Sequence, residues 1–137
     1  PGCSSMLGFF QEHGPWIIDD GEDFIKENPY PWNMRANVVY IESPAGVGYS
    51  WAKNRDTVSY TDETQSDDLY KALVSFYEKF PTFKGHDLYI TGESYAGIYV
   101  PYLAKQIVDH NALAATDSDV MYINLKGIAV GNGVTDF

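Results

Sequence analysis

Ten consecutive residues dictate the central architecture of this chain: Leu88-Tyr89-Ile90-Thr91-Gly92-Glu93-Ser94-Tyr95-Ala96-Gly97. The apolar and β-favouring residues at the start predict a strand that runs into Gly92, and the small residues at the end lead into a helical pattern. Ser94 lies at the apex of the turn between strand and helix. This order is typical of a nucleophile elbow with the pattern G-x-S-x-G. The sequence therefore predicts a serine hydroxyl that projects from the carboxyl end of a sheet.

The motif departs from that pattern at one position, because Ala96 stands where the last glycine belongs and glycine follows only at Gly97. Strand and helix backbones pass close together at such a turn, and alanine is small enough to meet this need. A Gly-x-Ser-x-Ala string is also common by chance, so the flanking strand and helix are what favour a functional serine. Because a serine hydroxyl is a weak nucleophile at neutral pH, it must lie where a base can reach it. The N–H of Tyr95 then points to where an oxyanion would form, at the positive start of the next helix.

Composition limits the class of protein. The chain has 137 residues, of which 45% are hydrophobic, and this predicts one globular domain over residues 1–137. A net charge of −10 argues against nucleic acid or an anionic membrane as partner. No apolar run approaches the roughly 20 residues of a membrane span. The abrupt start at Pro1-Gly2-Cys3 indicates a partial chain.

No cofactor or metal is expected from the sequence. The nearest phosphate-binding pattern is Gly46-x-Gly48, and it fails because Trp51 stands where the third glycine belongs. The single cysteine, Cys3, reads as a small buried hydrophobe in a cytosolic protein, or as one half of a disulfide or a reactive thiol in a secreted one. Composition leaves these alternatives open.

The wider pattern predicts alternating strands and helices. A strand is expected over 38–42, and a helix over 61–79 with a capping box of Asp62 and Gln65. The apolar face of that helix is predicted to comprise Leu69, Ala72, Leu73, Phe76, Tyr77 and Phe80. Pro101 is expected at the start of a second helix that ends near His110, and strands are expected over 122–125 and 128–130. This order, βαβαβ, predicts an α/β fold with a mostly parallel sheet and flanking helices.

A serine nucleophile needs a histidine base and a carboxylate that holds the base. After Ser94 the only histidine is His110, at the far end of the predicted helix, so it cannot return to the hydroxyl. His13 and His86 precede the serine and are expected to be loop or surface residues. The acid and the base are therefore expected outside these 137 residues.

Five segments together carry a specific resemblance. They are Pro1-Gly2-Cys3-Ser4-Ser5, Asn28-Pro29-Tyr30-Pro31-Trp32-Asn33, Ser43-Pro44-Ala45-Gly46-Val47-Gly48-Tyr49-Ser50, Gly92-Glu93-Ser94-Tyr95-Ala96-Gly97-x-Tyr99-x-Pro101 and Gly131-Asn132-Gly133. In this order they resemble the serine carboxypeptidase family, which includes lysosomal cathepsin A and vacuolar carboxypeptidases. The resemblance covers essentially the whole chain and the N-terminal part of that family's catalytic domain. It implies a partial α/β-hydrolase fold and the removal of single residues from peptide C-termini.

The resemblance also implies roles for individual residues. Ser94 would be the acylated nucleophile and the Tyr95 N–H an oxyanion donor. Glu93 and Glu12 match the pair of carboxyl groups that holds the substrate's terminal carboxylate. At least one of them must then carry a proton to donate a hydrogen bond, so binding should be strongest in acid. From the sequence alone, Glu12 would otherwise read as a surface carboxylate.

Three further residues take their roles from the resemblance alone. Asn132 and Val134 resemble positions near the pocket for the residue on the acyl side, and Cys3 matches a cysteine in a disulfide whose partner lies outside the chain. The expected partners are peptide C-termini and the remainder of the catalytic domain, and a homodimer is compatible with the family. The expected location is the lysosome, the vacuole or the exterior of the cell.

Three other functions are compatible with parts of the sequence. Acyltransferases and hydroxynitrile lyases share the family, but the acyltransferases often carry Asp where Glu93 stands, so Glu93 favours a peptidase. A non-catalytic homologue in an assembly is compatible with the absent triad members, although the intact turn at Ser94 speaks against it. The carboxyl pair disfavours a general esterase or lipase.

Overall fold

The computed structural model describes residues 5–19, 21, 23–54 and 59–136, which fall in two compact units. The first unit spans Pro1–Val58 and the second Ser59–Phe137. The expectation of one domain over 1–137 stays a prediction, and the two units are described separately. None of the helices among the described residues combines the length and apolar character that crossing a bilayer requires.

The first unit is built from short elements. A π-helical turn, Gly8–Glu12, leads into strand β1, Trp16–Ile17, which pairs antiparallel with strand β2, Lys26–Glu27. A 3₁₀ turn follows at Trp32–Met34. Strand β2 was not predicted, because a two-residue strand of Lys and Glu has no apolar alternation to reveal it.

The predicted strand over 38–42 was wrong. This segment is not part of a strand, and no other described segment of its unit pairs with it. Side chains bind its carbonyl groups instead: the hydroxyl of Ser5 donates to Ile41 O at 2.6 Å, and that of Ser50 donates to Glu42 O at 2.6 Å. An apolar, β-branched run shows that a segment can form a strand, but a strand also needs a partner.

The second unit has the predicted order of helix, strand, helix and strand. Its elements are helix α1 (Asp62–Lys79), strand β3 (Leu88–Glu93), helix α2 (Ala96–Ala114) and strand β4 (Leu125–Gly131). Strands β3 and β4 are parallel, with Ile90 opposite Ile128 and Glu93 opposite Gly131. Helix α2 connects them and packs on both, and α1 packs on α2. The elbow strand therefore runs into Gly92 as expected and ends one residue later, at Glu93. Strand β4 takes the place of the two short strands expected over 122–125 and 128–130.

Helix α1 begins differently from the prediction. Its capping box consists of Thr61 and Thr64, and the Thr64 N–H donates to Thr61 Oγ1 at 3.2 Å. Asp62 and Gln65 were therefore wrongly assigned to the box, because Thr can cap as well as Asp and only geometry separates them. The helix ends at Lys79, as expected, just before a 3₁₀ turn at Pro81–Phe83.

The prediction for Pro101 was also wrong. Helix α2 runs without interruption from Ala96 to Ala114, with Pro101 inside it, and it extends four residues beyond His110. A proline inside a helix removes the hydrogen bond to the carbonyl four residues earlier, here that of Gly97. The loss falls within the second turn of the helix, and packing of α2 on the sheet and on α1 keeps the helix continuous.

The core of the second unit lies where α1, α2 and the start of β4 meet. The buried hydrophobic residues there are Tyr70, Leu73, Tyr77, Leu103, Ile107 and Ile123. The predicted face of α1 was right for Leu73 and Tyr77 but wrong for Ala72 and Phe80, which are exposed. Tyr70 takes their place because its ring stacks on His110, with centroids 3.9 Å apart.

Candidate active site

Ser94 occupies a sharp, strained turn between β3 and α2. Its φ is +59°, in the left-handed region, and its side chain is exposed. A left-handed backbone is unfavourable for any residue with a Cβ, and it persists where the surrounding structure over-determines it. The predicted elbow is therefore present, with the serine projecting from the end of the strand.

Hydrogen bonds to its backbone hold Ser94 in this conformation. Its N–H donates to Gly131 O at 3.1 Å, which continues the β3–β4 ladder by one residue. Its carbonyl accepts from Gly97 N at 3.0 Å and from Val134 N at 2.8 Å. The end of β4 and the segment after it thus fix the serine from one side, and the start of α2 fixes it from the other.

Close packing explains the small residues around the turn. A Cβ added at Gly92 would lie 2.4 Å from the Cβ of Ala96, and one added at Gly97 would lie 2.3 Å from Val134 O. The glycine that the elbow requires is therefore Gly97, one position later than the short motif places it. Ala96 is tolerated because Gly92, across from it, has no side chain.

Tyr95 begins helix α2 and is held through its side chain. Its backbone is already helical, with φ −62° and ψ −13°. Its hydroxyl donates to Asp62 Oδ1 at 3.1 Å, and its ring meets that of Tyr99 edge-on at 4.9 Å. Desolvation, and then the hydrogen bond and charge of Asp62, raise the pKa of the Tyr95 phenol, so the hydroxyl remains a donor across the physiological range.

The other predicted residues of the second unit gather around Ser94. Glu93 is the last residue of β3 and is exposed beside the turn. Asn132 follows β4 directly and also has a left-handed backbone, with φ +45°. Val134 contacts Ser94 through the hydrogen bond between their backbones. The structure thus brings Ser94, Asn132 and Val134 together, although 38 or more residues separate the last two from the serine in sequence.

Glu12 belongs to the first unit, where it ends the π-helical turn with an exposed side chain. The buried amide of Asn28 donates to Glu12 O at 3.3 Å and to Gly14 O at 2.9 Å, which fixes the backbone after the turn. The Glu12 carboxylate lies 3.7 Å from His13 Nε2. His13 stacks on Trp32, and its Nδ1 lies 2.7 Å from the Tyr40 hydroxyl.

The negative charge of Glu12 also acts on Tyr40, one of the aromatic residues beside His13. Desolvation, and then the negative charge of Glu12, raise the pKa of the Tyr40 phenol, which therefore stays protonated beside His13. Glu12 is thus attached to an ordered set of hydrogen bonds and stacked rings. The sequence alone favoured an isolated surface carboxylate at this position.

The three histidines have contacts of their own. His110 lies roughly 20 Å along the α2 axis from Ala96, because each helical residue adds about 1.5 Å. Its Nδ1 lies 2.8 Å from Gln106 O, within the same helix. His13 contacts Tyr40, and the ring of His86 packs edge-on against Phe83. Among the described residues, no group of three or more His, Cys, Asp or Glu could hold a metal ion.

Two features of the site were not predicted. One is the hydrogen bond from Tyr95 to Asp62, because nothing in the sequence relates residues 33 positions apart. The other is the group of Asn28, His13, Trp32 and Tyr40 beside Glu12, for which the clustering of aromatic residues was the only signal. Cys3 and its predicted disulfide lie outside the described residues.

The parallel strands, the connecting helix and the strained serine turn are those of an α/β-hydrolase, of which this chain forms a part. A solved relative has the same arrangement. The prohormone-processing carboxypeptidase Kex1(delta)p from Saccharomyces cerevisiae superposes with a TM-score of 0.82 and 30% sequence identity. The superposition covers 98% of this chain and 29% of that one.

Sequence comparisons identify the family. The family model for serine carboxypeptidases matches residues 1–137. The lysosomal protective protein of Mus musculus is 44% identical over 138 residues, which are 100% of this chain and 27% of that protein. The serine carboxypeptidase S10 family member 1 of Dictyostelium discoideum is 45% identical over 136 residues, 99% of this chain and 31% of that protein. The chain therefore belongs to the serine carboxypeptidase family, and it spans less than a third of the length of these relatives.

Proposed function

We propose that the full-length protein containing this chain is a serine carboxypeptidase that removes C-terminal residues from peptides through an acyl-enzyme. The observation that carries this proposal is the exposed hydroxyl of Ser94 on a left-handed turn, which hydrogen bonds to Gly131, Gly97 and Val134 hold in place. Such a turn stores strain that only the surrounding contacts maintain, and strained residues cluster at active sites. Family membership supplies the reaction class.

Each residue of the site has a part in this reaction. The Ser94 oxygen attacks the carbonyl carbon of the last peptide bond, and the Tyr95 N–H stabilises the oxyanion that forms. The C-terminal residue leaves as the free amino acid, and water then hydrolyses the ester on Ser94. The base and its carboxylate partner come from the rest of the catalytic domain, since each of the three histidines here has other contacts.

Glu93 and Glu12 select chain ends in this proposal. A carboxyl group that carries a proton can donate a hydrogen bond to the substrate's terminal carboxylate, whereas an ionised one repels it. This makes binding strongest in acid, which suits a lysosome, a vacuole or an acidic exterior. One relative is named the lysosomal protective protein. Asn132 and Val134 lie beside Ser94 and would contact the residue on the acyl side.

A peptidase is favoured over an acyltransferase because the residue before the nucleophile is Glu93, at the exposed end of β3. The resemblance associates Asp with acyltransferases at that position. The disulfide of Cys3 and association into a homodimer stay predictions.

The nucleophile is tested by replacing it in the full-length protein. We expect Ser94→Ala to lower the rate of release of C-terminal residues from an N-blocked peptide by about 10⁴-fold or more, because no other group replaces the attacking oxygen. Release is measured by amino-acid analysis at about pH 5. Ser118→Ala, which changes an exposed serine in the loop after α2, is the matched control and should behave as wild type. Undiminished release by Ser94→Ala would remove Ser94 from its role.

The proposed role of Glu93 in the carboxyl pair is tested by replacing it with glutamine, whose amide does not ionise. The amide of Glu93→Gln donates a hydrogen bond at every pH, so the KM of this variant for a peptide with a free C-terminus should change little between about pH 5 and pH 8. The KM of the wild type should rise over the same range. Glu27→Gln, an exposed carboxylate in β2, is the control. The role of Glu93 would be refuted if the wild type bound peptides with free and amidated C-termini equally well in acid.

A further inference from the structure

Asp62 lies outside the set of residues assigned above, yet its side chain reaches the residue after Ser94. The hydroxyl of Tyr95 donates to Asp62 Oδ1 at 3.1 Å, across 33 positions of sequence. This hydrogen bond joins the first residue of α1 to the first turn of α2. It links the side chain of Tyr95 to an element that takes no part in the β3–β4 sheet.

The acceptor is itself fixed in place. Asp62 is the first residue of α1, directly after Thr61, the first member of the capping box, and it is half-buried. A carboxylate is stabilised at this end of a helix by the unpaired N–H groups of the first turn. Helix α1 in turn packs on α2 through the core of the unit. Asp62 is therefore a rigid anchor for the Tyr95 hydroxyl.

Tyr95 transmits this anchoring to the turn. Its backbone follows the strained Ser94 directly, and its ring is confined between the hydrogen bond to Asp62 and the edge-on contact with Tyr99. When the side chain is fixed at its far end, rotation of the peptide unit between Ser94 and Tyr95 is restricted. That peptide unit carries the N–H that would meet an oxyanion.

We propose that Asp62 is a positioning residue, whose hydrogen bond to Tyr95 keeps the Tyr95 N–H aimed at the oxyanion during acyl transfer. Asp62 touches neither the substrate nor the reacting atoms, and it exchanges no proton with them. The proposal deepens the function proposed above and rests on it. It predicts that the hydrogen bond acts on the rate of the chemical step and hardly on the binding of the peptide.

The test measures kcat and KM for four variants of the full-length protein. Asp62→Ala and Tyr95→Phe each remove the hydrogen bond, and kcat should fall about tenfold in both, the effect of losing one hydrogen bond to a charged group, with KM nearly unchanged. Asp62→Asn keeps an acceptor oxygen and should recover most of the lost kcat. The double variant Asp62→Ala, Tyr95→Phe should be no slower than either single variant, because both changes break the same bond.

A matched control separates positioning from helix stability. Glu63→Ala removes the neighbouring, exposed carboxylate from the same first turn of α1. It removes a helix-dipole interaction as Asp62→Ala does but spares the hydrogen bond to Tyr95, so it should lower the unfolding temperature no more than Asp62→Ala does and leave kcat as in the wild type. A peptide aldehyde, whose adduct places an oxyanion near Tyr95, should bind the Asp62→Ala variant more weakly in proportion to the loss of kcat.

The outcomes distinguish this proposal from the proposed function. Wild-type kcat in both Asp62→Ala and Tyr95→Phe, or a loss that Asp62→Asn shares in full, would overturn the positioning role. If the wild type cleaves an acyl ester or reacts with a fluorophosphonate but releases no C-terminal residue, the carboxypeptidase function fails. In that case, the rates at which the Asp62 and Tyr95 variants cleave the ester or react with the fluorophosphonate still test the role of Asp62. A wild type inert to the peptide, the ester and the fluorophosphonate would overturn both.

Discussion

At the scale of single residues, the site depends on how closely backbones can approach each other. Gly97 is the clearest case, because an added Cβ would lie 2.3 Å from the carbonyl oxygen of Val134, well inside van der Waals contact. Val134 is also the residue whose N–H binds the Ser94 carbonyl. A substitution at Gly97 would therefore strain the contact that holds Ser94 in its left-handed conformation.

We expect Gly97→Ala to destabilise the full-length protein by about 1–3 kcal/mol, the usual effect of overpacking. Helix propensity alone would predict that Gly97→Ala stabilises the protein, since alanine is favoured over glycine in a helix by about 1 kcal/mol. The kcat should also fall, because Val134 must move away from Ser94. The unfolding temperature and kcat are measured together. Gly85→Ala, with no atom within 4 Å of the new Cβ, is the control and should be close to neutral.

The turn at Ser94 was predicted correctly because it has a local signature. Ser94 was recognisable because strand, small residues and helix surround it, and all of these are encoded within ten positions. Asp62 was noticed only as a capping residue, and in the structure it accepts from Tyr95 instead. That contact depends on how two helices pack, which no local pattern encodes.

At the scale of elements, the second unit depends on two joints at the ends of α2. The first is the strained turn at Ser94. The second is a reciprocal pair of hydrogen bonds near the other end: Asn111 Nδ2 donates to Ile123 O at 2.7 Å, and Ile123 N donates to Asn111 Oδ1 at 2.8 Å. This pair replaces a strand partner for Ile123 just before β4 and fixes where that strand begins.

We expect Asn111→Ala to lower the free energy of unfolding by about 2–3 kcal/mol, since it removes two hydrogen bonds and takes from the Ile123 N–H its acceptor, whereas Ile123 O still accepts from Leu125 N at 2.8 Å. Asn111→Asp keeps the acceptor for the Ile123 N–H and loses the donor, so its effect should be about half as large. Chemical denaturation of the full-length protein measures both. Equal stability of Asn111→Ala and the wild type would show that this joint does not hold β4.

Helices and strands were predicted well where the hydrophobic periodicity was strong. They were predicted poorly where the structure depends on which other segments pack or pair with them. The long helix after residue 61 and the strand leading to Gly92 both stand out in the sequence, and both are present. The strand expected over 38–42 has the right composition but no partner among the described residues of its unit, so the prediction failed. The prediction that Pro101 starts a helix was wrong because local rules do not include packing. In the structure, packing of α2 on its neighbours keeps the helix continuous through Pro101.

At the scale of the whole molecule, the chain provides one part of an α/β-hydrolase fold. It carries the proposed nucleophile and one carboxyl group of the proposed pair in the second unit, and the other carboxyl group, Glu12, in the first. Each is supported by its own surroundings: hydrogen bonds at both backbone groups of Ser94, and a buried amide with stacked rings beside Glu12. The residue proposed as nucleophile is thus held by contacts within this chain, which spans less than a third of the length of these relatives.

The central claim is that Ser94 is the nucleophile, and covalent labelling tests it most directly. The full-length protein is treated with a fluorophosphonate and digested, and the modified residue is located by mass spectrometry. A single adduct on Ser94, formed in step with the loss of C-terminal release, is the result we predict. An adduct on another serine that accompanies the loss, or release that continues with Ser94 fully labelled, would contradict the claim.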